Sequence, residues 1–119
     1  MNKRFPKQEK LKSRKTIDSL FSDRKTYTKY PLKVFYVPQK EINQAAFSVP
    51  KRTYKLAVDR NRIKRQMREA YRLNKSILHN NVDENYAMLF LYIGKDKPKY
   101  RTLEKAMVYV LKKLSGQKK

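Results

Sequence analysis

The chain has 119 residues, which is enough for one compact domain with a single modest core. It contains 31 lysines and arginines against 10 acids, a net charge of +21, and no cysteine. The lack of cysteine excludes disulfides and thiolate metal sites, and the regular period of the apolar residues argues against a disordered chain. Repulsion among so many like charges destabilises a compact monomer, so the composition predicts a polyanionic partner.

Neither a membrane span nor an export signal is predicted. The longest apolar run, residues 87–93, is far too short to cross a bilayer. The basic first ten residues have no hydrophobic segment behind them, so they do not resemble a secretory signal. The basic segment at residues 61–75 lacks the broad apolar face that interfacial helices bury in lipid. We therefore expect a cytoplasmic protein with no membrane partner.

The first half of the chain predicts an arm, a helix and strands. Residues 1–12 are expected to form a basic, flexible arm of a single domain that covers residues 1–119. Ser13 is positioned to cap a short helix that runs to about Phe21. Aromatic and β-branched residues predict a strand over residues 27–37, in which Pro31 indicates a sheet edge or a break.

A turn and a second short strand come next. Residues 41–44 are typical of a turn, and residues 45–49 predict a strand that Pro50 stops. A basic helix follows, which is expected to start between Leu56 and Arg60 and to reach towards Leu78.

The last third predicts a buried strand and a final helix. A polar loop over residues 79–85 leads into residues 86–93, which are apolar on both faces and are therefore expected at the centre of a sheet. After a turn at residues 94–99, Thr102 is positioned to cap a helix whose apolar residues keep a helical period, and Gly116 is positioned to end it. This order predicts a small sandwich of helices on a mixed sheet.

The basic helix has two faces of different composition. Its apolar residues recur at the spacing of a buried stripe and are Ile63, Met67, Ala70 and Tyr71. A second continuous face consists of Asn61, Lys64, Arg65, Arg68, Arg72 and Lys75. From residue 51 to residue 75, ten basic residues stand against two acids, of which Asp59 is positioned to cap the helix. A solvated face would mix the two signs, so the pattern favours contact with phosphates over a merely solvated surface.

RNA is favoured over DNA as the partner. A major-groove reader carries its recognition helix in a helix-turn-helix or a zinc module, whereas strands flank the basic helix here. Ile17, Phe21 and Phe35 are candidates to line a shallow groove for single-stranded nucleotides, with burial in the core as the alternative. No catalytic or metal-ligating residue is predicted, because His79 is the only histidine and the adjacent Asp83 and Glu84 fit a solvated loop.

Residues 48–72, SVPKRTYKLAVDRNRIKRQMREAYR, resemble the signature of the bacterial ribonuclease P protein component. In that signature a strand ends in a basic pair, and an Arg-Asn-Arg motif opens a basic amphipathic helix. The order of the other predicted elements is similar to the family as well. The resemblance implies an α+β fold, a single-domain α-β-β-β-α-β-α sandwich whose mixed sheet contains a left-handed β-α-β crossover, as in the ribosomal protein S5 domain 2-like fold.

The resemblance implies a protein subunit of an RNA-based endoribonuclease that matures tRNA 5′ ends. Its partners would be the catalytic RNA subunit and precursor tRNA, with Mg²⁺ expected on the partner RNA. Charge and resemblance together indicate RNA-binding residues at Lys51, Arg52, Arg60, Asn61, Arg62, Lys64, Arg65, Arg68 and Arg72. Ile17, Phe21 and Phe35 would line the cleft for the 5′ leader. A structural RNA-binding protein, such as a small ribosomal protein, and a protein-only nuclease are the alternatives.

Overall fold

The computed structural model describes residues 9–23, 25–39, 42–80 and 85–116. Within these ranges the elements follow in the order α1 (Arg14–Asp23), β1 (Thr26–Lys29), β2 (Leu32–Gln39), β3 (Gln44–Ser48), α2 (Ala57–Asn74), β4 (Asn85–Tyr92) and α3 (Tyr100–Ser115). A short 3₁₀ helix, Lys75–Asn80, continues α2. This α+β arrangement has the predicted α-β-β-β-α-β-α order.

The strands form one mixed sheet in the order β1-β2-β4-β3. β2 pairs antiparallel with both β1 and β4, whereas β3 pairs parallel with β4. A parallel pair needs a long crossover, because the chain must return to the same end of the sheet, and α2 provides it. β4 lies between two other strands, as its two apolar faces predicted. The handedness of the crossover stays a prediction.

The sheet separates a large core from a small one. On one face, β2 and β4 side chains such as Val34 and Phe90 pack against α2 and α3. On the other face, Val37 and Leu89 pack with Leu20 of α1. Both cores follow from the alternation of side chains along a strand, which sends neighbouring residues to opposite faces. The basic helix α2 therefore covers one face of the sheet, and α1 covers the other.

Two of the predicted helix ends are confirmed and two predicted caps are wrong. The backbone N–H of Thr16 donates to Ser13 Oγ at 3.3 Å, and Gly116 ends α3. Thr102 lies inside α3, which begins two residues earlier because the carbonyl of Lys99 accepts the first helical hydrogen bond. Asp59 lies inside the first turn of α2, whose N-cap position is Leu56.

Other predicted boundaries shift by a few residues. Residues 27–37 divide into two strands, β1 and β2, and Pro31 lies in the turn between them, which confirms the predicted break. The predicted turn at 41–44 ends earlier, since Gln44 already belongs to β3, and residue 41 lies outside the described residues. Residues 81–84 of the predicted polar loop also lie outside the described residues.

The N-terminal segment covers the outer edge of β3. Lys10 forms a parallel bridge with Ala45, and the N–H of Leu11 donates to the Ala45 carbonyl at 2.9 Å. Leu11 is buried in the small core under α1. This pairing satisfies backbone groups that an edge strand would otherwise leave open. Residues 1–8 of the predicted arm lie outside the described residues.

Candidate nucleic-acid interface

The two-face interpretation of α2 is confirmed for its apolar side. Ile63, Met67, Ala70 and Tyr71 are all buried. On the opposite side, Asn61, Arg62 and Arg65 are exposed, while Lys64 and Arg68 are half-buried. These five residues are called the α2 basic face below.

The α2 basic face contains a shallow depression of about 370 Å³. Its lining consists of Val58, Asn61, Lys64, Arg65 and Arg68, none of which is acidic. Val58 is 70% exposed, so the depression opens to solvent beside the first turn of the helix. Guanidinium groups donate two parallel hydrogen bonds to a phosphate, and the N-terminal end of a helix favours anions. The depression is therefore suited to phosphate groups.

Arg60, the first residue of the Arg-Asn-Arg motif, braces the start of α2. Its Nη1 atom donates to the carbonyl oxygens of Tyr54 and Lys55 at 2.8 and 2.9 Å. Tyr54 is buried, and its hydroxyl donates to the carbonyl of Gly94 at 3.2 Å. These bonds tie the segment before α2 to the chain that follows β4. Arg60 thus has a positioning role that the sequence motif does not reveal.

Asp59 adds a second connection at the same place. Its Oδ1 atom lies 3.2 Å from Nζ of Lys97, in the segment between β4 and α3. A carboxylate in the first turn also interacts favourably with the partial positive charge of the helix N-terminus. Asp59 therefore forms a surface ion pair at the start of α2 and does not have its predicted role as a cap.

The last two residues of the predicted basic face are compensated by acids. Arg72 donates from Nε and Nη2 to the two carboxylate oxygens of Glu69, at 3.0 and 2.6 Å. These hydrogen bonds raise the pKa of Arg72 and lower the pKa of Glu69. Lys75 is buried, with its Nζ atom 2.7 Å from Oε1 of Glu9. Lys75 does not continue the predicted basic face, because the α-helix has already ended at Asn74.

Lys51 and Arg52 are exposed in the turn that follows β3 and precedes α2. The backbone N–H of Tyr54 donates to the carbonyl of Pro50 at 3.1 Å, which closes this turn. The predicted basic pair is thus presented to solvent by a closed turn. The turn that carries this pair lies between β3 and the first turn of α2.

The three predicted cleft residues lie on the α1 side of the sheet. The rings of Phe21 and Phe35 have centroids 5.1 Å apart and are tilted by 59°. Ile17 and Phe35 are half-buried against the small core, whereas Phe21 is 48% exposed. Ile17, Phe21 and Phe35 are called the aromatic cleft below, after their predicted role. Ile17 and Phe35 support the core, whereas the ring of Phe21 is open to solvent.

Lys33 lies beside Phe35, although the sequence pattern did not single it out as a candidate. Its Nζ atom lies 5.3 Å from the centroid of the Phe35 ring. The signal was present in the sequence, because residues two apart on a strand point to the same face. Lys33 places a positive charge beside an aromatic ring, an arrangement that suits a nucleotide with its phosphate.

In the described part of the chain, no three His, Cys, Asp or Glu side chains form a group that could hold a metal ion. The described helices include none that is long and apolar enough to span a membrane. Asp83 and Glu84 lie outside the described residues, and the side chain of His79 is not described.

The family model described as Ribonuclease P matches residues 5–115. The chain belongs to the ribonuclease P protein component family. A relative of that name from Porphyromonas gingivalis is 39% identical over 118 residues, covering 92% of this chain and 85% of its own. Another, from Caldanaerobacter subterraneus, is 32% identical over 109 residues and covers 90% of each chain.

Solved structures show the same fold. The RNase P protein of Thermotoga maritima superposes with a TM-score of 0.74 at 19% identity, covering 88% of this chain and 96% of that one. A Staphylococcus aureus RNase P protein gives 0.71 at 20% identity, covering 87% and 93%. Family membership implies participation in an endoribonuclease complex, an RNA partner and a part in tRNA processing. Family membership also argues against the alternative of a ribosomal protein.

Proposed function

We propose that this chain is the protein subunit of ribonuclease P, that it binds the catalytic RNA through the α2 basic face, and that it holds the 5′ leader of precursor tRNA in the aromatic cleft. The observation that carries the proposal is the depression on the α2 basic face, whose lining contains no acid, in a member of this family. The lack of cysteine suits a reducing compartment, and we expect the complex in the cytoplasm.

Binding to the catalytic RNA would rest on phosphate contacts. Arg65 and Arg62 are exposed and point away from the core, so their guanidinium groups are free to meet phosphates without disturbing the fold. Lys51 and Arg52 would extend this contact along the turn before α2. Arg60 would act mainly by holding the helix start in place.

Leader binding would rest on stacking and charge. Phe21 offers an exposed ring, Phe35 supports it from the sheet, and Lys33 supplies an ammonium group for a phosphate. Stacking of a base on such a ring contributes about 1–3 kcal/mol. Because α1 and α2 cover opposite faces of the sheet, the leader and the catalytic RNA would occupy different sides of the protein.

The chemical step in this proposal belongs to the partner RNA. Mg²⁺ ions held by that RNA would activate water for hydrolysis of the phosphodiester at the 5′ end of the tRNA. The residues of this chain bind the RNA and neutralise the charge of its phosphates. By reducing the repulsion between leader and catalytic RNA, they strengthen substrate binding and help retain Mg²⁺ in the complex.

The test is reconstitution at low Mg²⁺. Precursor tRNA is incubated with the protein, with the catalytic RNA, and with both, and cleavage is expected to be stimulated only in the mixture. Arg65→Ala should reduce the stimulation, whereas Lys95→Ala, an exposed lysine in the turn after β4, should leave it unchanged. Cleavage by the protein alone would overturn the proposal in favour of a protein-only nuclease.

Salt dependence provides a second test. If roughly six to eight phosphates are contacted, the logarithm of the affinity should fall with the logarithm of the salt concentration at a slope of about −4 to −7. A filter-binding or anisotropy titration at several salt concentrations measures this slope. An affinity that hardly changes with salt would contradict a binding mode based on phosphate contacts.

A further inference from the structure

The exposed side of α3 is a second basic helical face, which the proposed function does not use. Its residues share a stripe that covers roughly one third of the helix circumference at 3.6 residues per turn. The exposed residues of this stripe, called the α3 stripe below, are Arg101, Thr102, Lys105, Tyr109, Lys112 and Lys113. None is acidic. Glu104, the acid of α3, lies off the stripe and accepts a hydrogen bond from Nδ2 of Asn74 at 3.1 Å.

Tyr109 lies near the centre of the α3 stripe and is 41% exposed. Two ammonium groups approach its ring, Nζ of Lys29 at 5.2 Å and Nζ of Lys113 at 5.5 Å from the centroid. Lys29 comes from the end of β1, so two elements bring like charges to one ring. Both lysines are exposed, and their flexible stems allow each ammonium group to move from the ring to a phosphate.

We propose that the α3 stripe and Lys29 form a second RNA-binding surface, in which Tyr109 stacks on an unpaired base and Lys29 and Lys113 contact the phosphates beside it. A half-exposed ring between cationic side chains matches the two parts of a nucleotide, its base and its phosphate. A lipid surface fits less well, since the exposed side of α3 offers only Tyr109 and the half-buried Val108 as large apolar residues, too few for the broad apolar face of an interfacial helix.

The position of α3 supports the same occupant. α2 and α3 pack side by side on one face of the sheet, where they share the large core. An RNA that contacts the α2 basic face can therefore continue onto the α3 stripe without passing round the sheet. The inference goes beyond the proposed function, because it requires an unpaired nucleotide and no particular RNA.

The stacking part is tested with the full chain and two probes, a fluorescent oligouridine and a blunt RNA duplex, each of about 12 nucleotides per strand. Tyr109→Leu is expected to weaken oligouridine binding about 5- to 150-fold, the range of one lost base stack, and to leave duplex binding unchanged. Tyr109→Phe keeps the ring and should bind as the wild type does. Thermal unfolding of both variants establishes that they are folded.

The charge part uses a matched pair of double variants with equal net charge. Lys29→Gln with Lys113→Gln should reduce the magnitude of the salt slope for oligouridine by about 1–2. Lys12→Gln with Lys95→Gln removes two exposed charges that lie outside both helices, one before α1 and one in the turn after β4, and should leave the slope near that of the wild type.

Three outcomes would overturn the inference. The first is wild-type oligouridine affinity for Tyr109→Leu, and the second is the same slope for both double variants. The third is loss of binding to phosphatidylserine vesicles by Tyr109→Leu while its RNA binding is unchanged, which would assign the surface to a membrane. A failure of the chain to stimulate ribonuclease P RNA, together with the expected losses, would reject the proposed function and leave this inference standing.

Discussion

Replacing Arg60 separates positioning from RNA contact within a single motif. Arg60→Ala removes both hydrogen bonds from Nη1 to the backbone in front of α2. Arg62 lies on the same turn of the helix but is exposed, which makes Arg62→Ala the matched control. The Arg-Asn-Arg motif alone predicts the same role for these two arginines. The structure predicts that they differ in their effect on stability.

The expected magnitude follows from the two acceptors. A hydrogen bond from a charged donor contributes about 1.5–3 kcal/mol when its acceptor is shielded from water. The bond to the Tyr54 carbonyl is partly buried, whereas the bond to the Lys55 carbonyl is exposed and water can replace it. Counting only the first, Arg60→Ala should lower the free energy of unfolding by about 1.5–3 kcal/mol. In a domain of this size, the melting temperature would fall by roughly 5–15 °C.

Urea unfolding followed by circular dichroism measures this difference. Arg62→Ala should remain within about 0.5 kcal/mol of the wild type. Both variants should bind RNA more weakly, but for different reasons. Arg62→Ala should reduce the magnitude of the salt slope by about one, since a phosphate contact is lost, while Arg60→Ala should leave the slope nearly unchanged. Equal unfolding midpoints for the two variants would refute the bracing role of Arg60.

Further predictions concern the core, a glycine and alkaline pH. Met67→Ala should lower the free energy of unfolding by about 2–5 kcal/mol, because Met67 is fully buried. Arg65→Ala should instead weaken RNA binding with little change in melting temperature. An equal fall in melting temperature for the two variants would contradict the two faces of α2. Gly94→Ala should lower the melting temperature, because the added Cβ would lie 2.5 Å from the hydroxyl oxygen of Tyr92 and 2.6 Å from its Cζ. An unchanged melting temperature would show that the Tyr92 side chain moves aside without a cost in stability. Burial, together with a neighbouring tyrosine, raises the pKa of Tyr36 to about 12 from a usual value of 10.0. The folded state then binds more protons than the unfolded state above pH 10, so this contribution to stability is complete below pH 10 and is lost as the pH rises through about 12. Tyr36→Phe should make urea midpoints fall less steeply over that range, and an equally steep fall would argue against the shift.

Periodicity predicted the elements where one local rule decides the structure. The buried stripe of α2 was found correctly because each of its residues is set by the spacing along one helix. The central position of β4 was found because a strand apolar on both faces needs cover on both. The position of Phe35 on the α1 side of the sheet followed from the alternation along β2, which also places Lys33 beside Phe35.

The failures occur where distant contacts decide. Asp59 and Thr102 are residues that often cap helices, but the starts of α2 and α3 lie elsewhere. At α2 the start is held by contacts to the segment after β4, which no local preference reports. Lys75 pairs with Glu9, 66 residues away in sequence. The only available signal was that Glu9 is the one acid among the first 15 residues.

The balance of basic and acidic residues in α2 differs along the helix as well as around it. Between Val58 and Arg68, the residues that line the depression are basic, polar or apolar, and the partial positive charge of the helix N-terminus adds to their attraction for anions. In its C-terminal part, Glu69 compensates Arg72 and Glu9 compensates Lys75. Repulsion is thereby reduced where α2 continues into the 3₁₀ helix, and it is retained where RNA is proposed to bind. Because salt screens repulsion within the free chain but also weakens its contacts with phosphates, stability and RNA affinity should respond to salt with opposite signs.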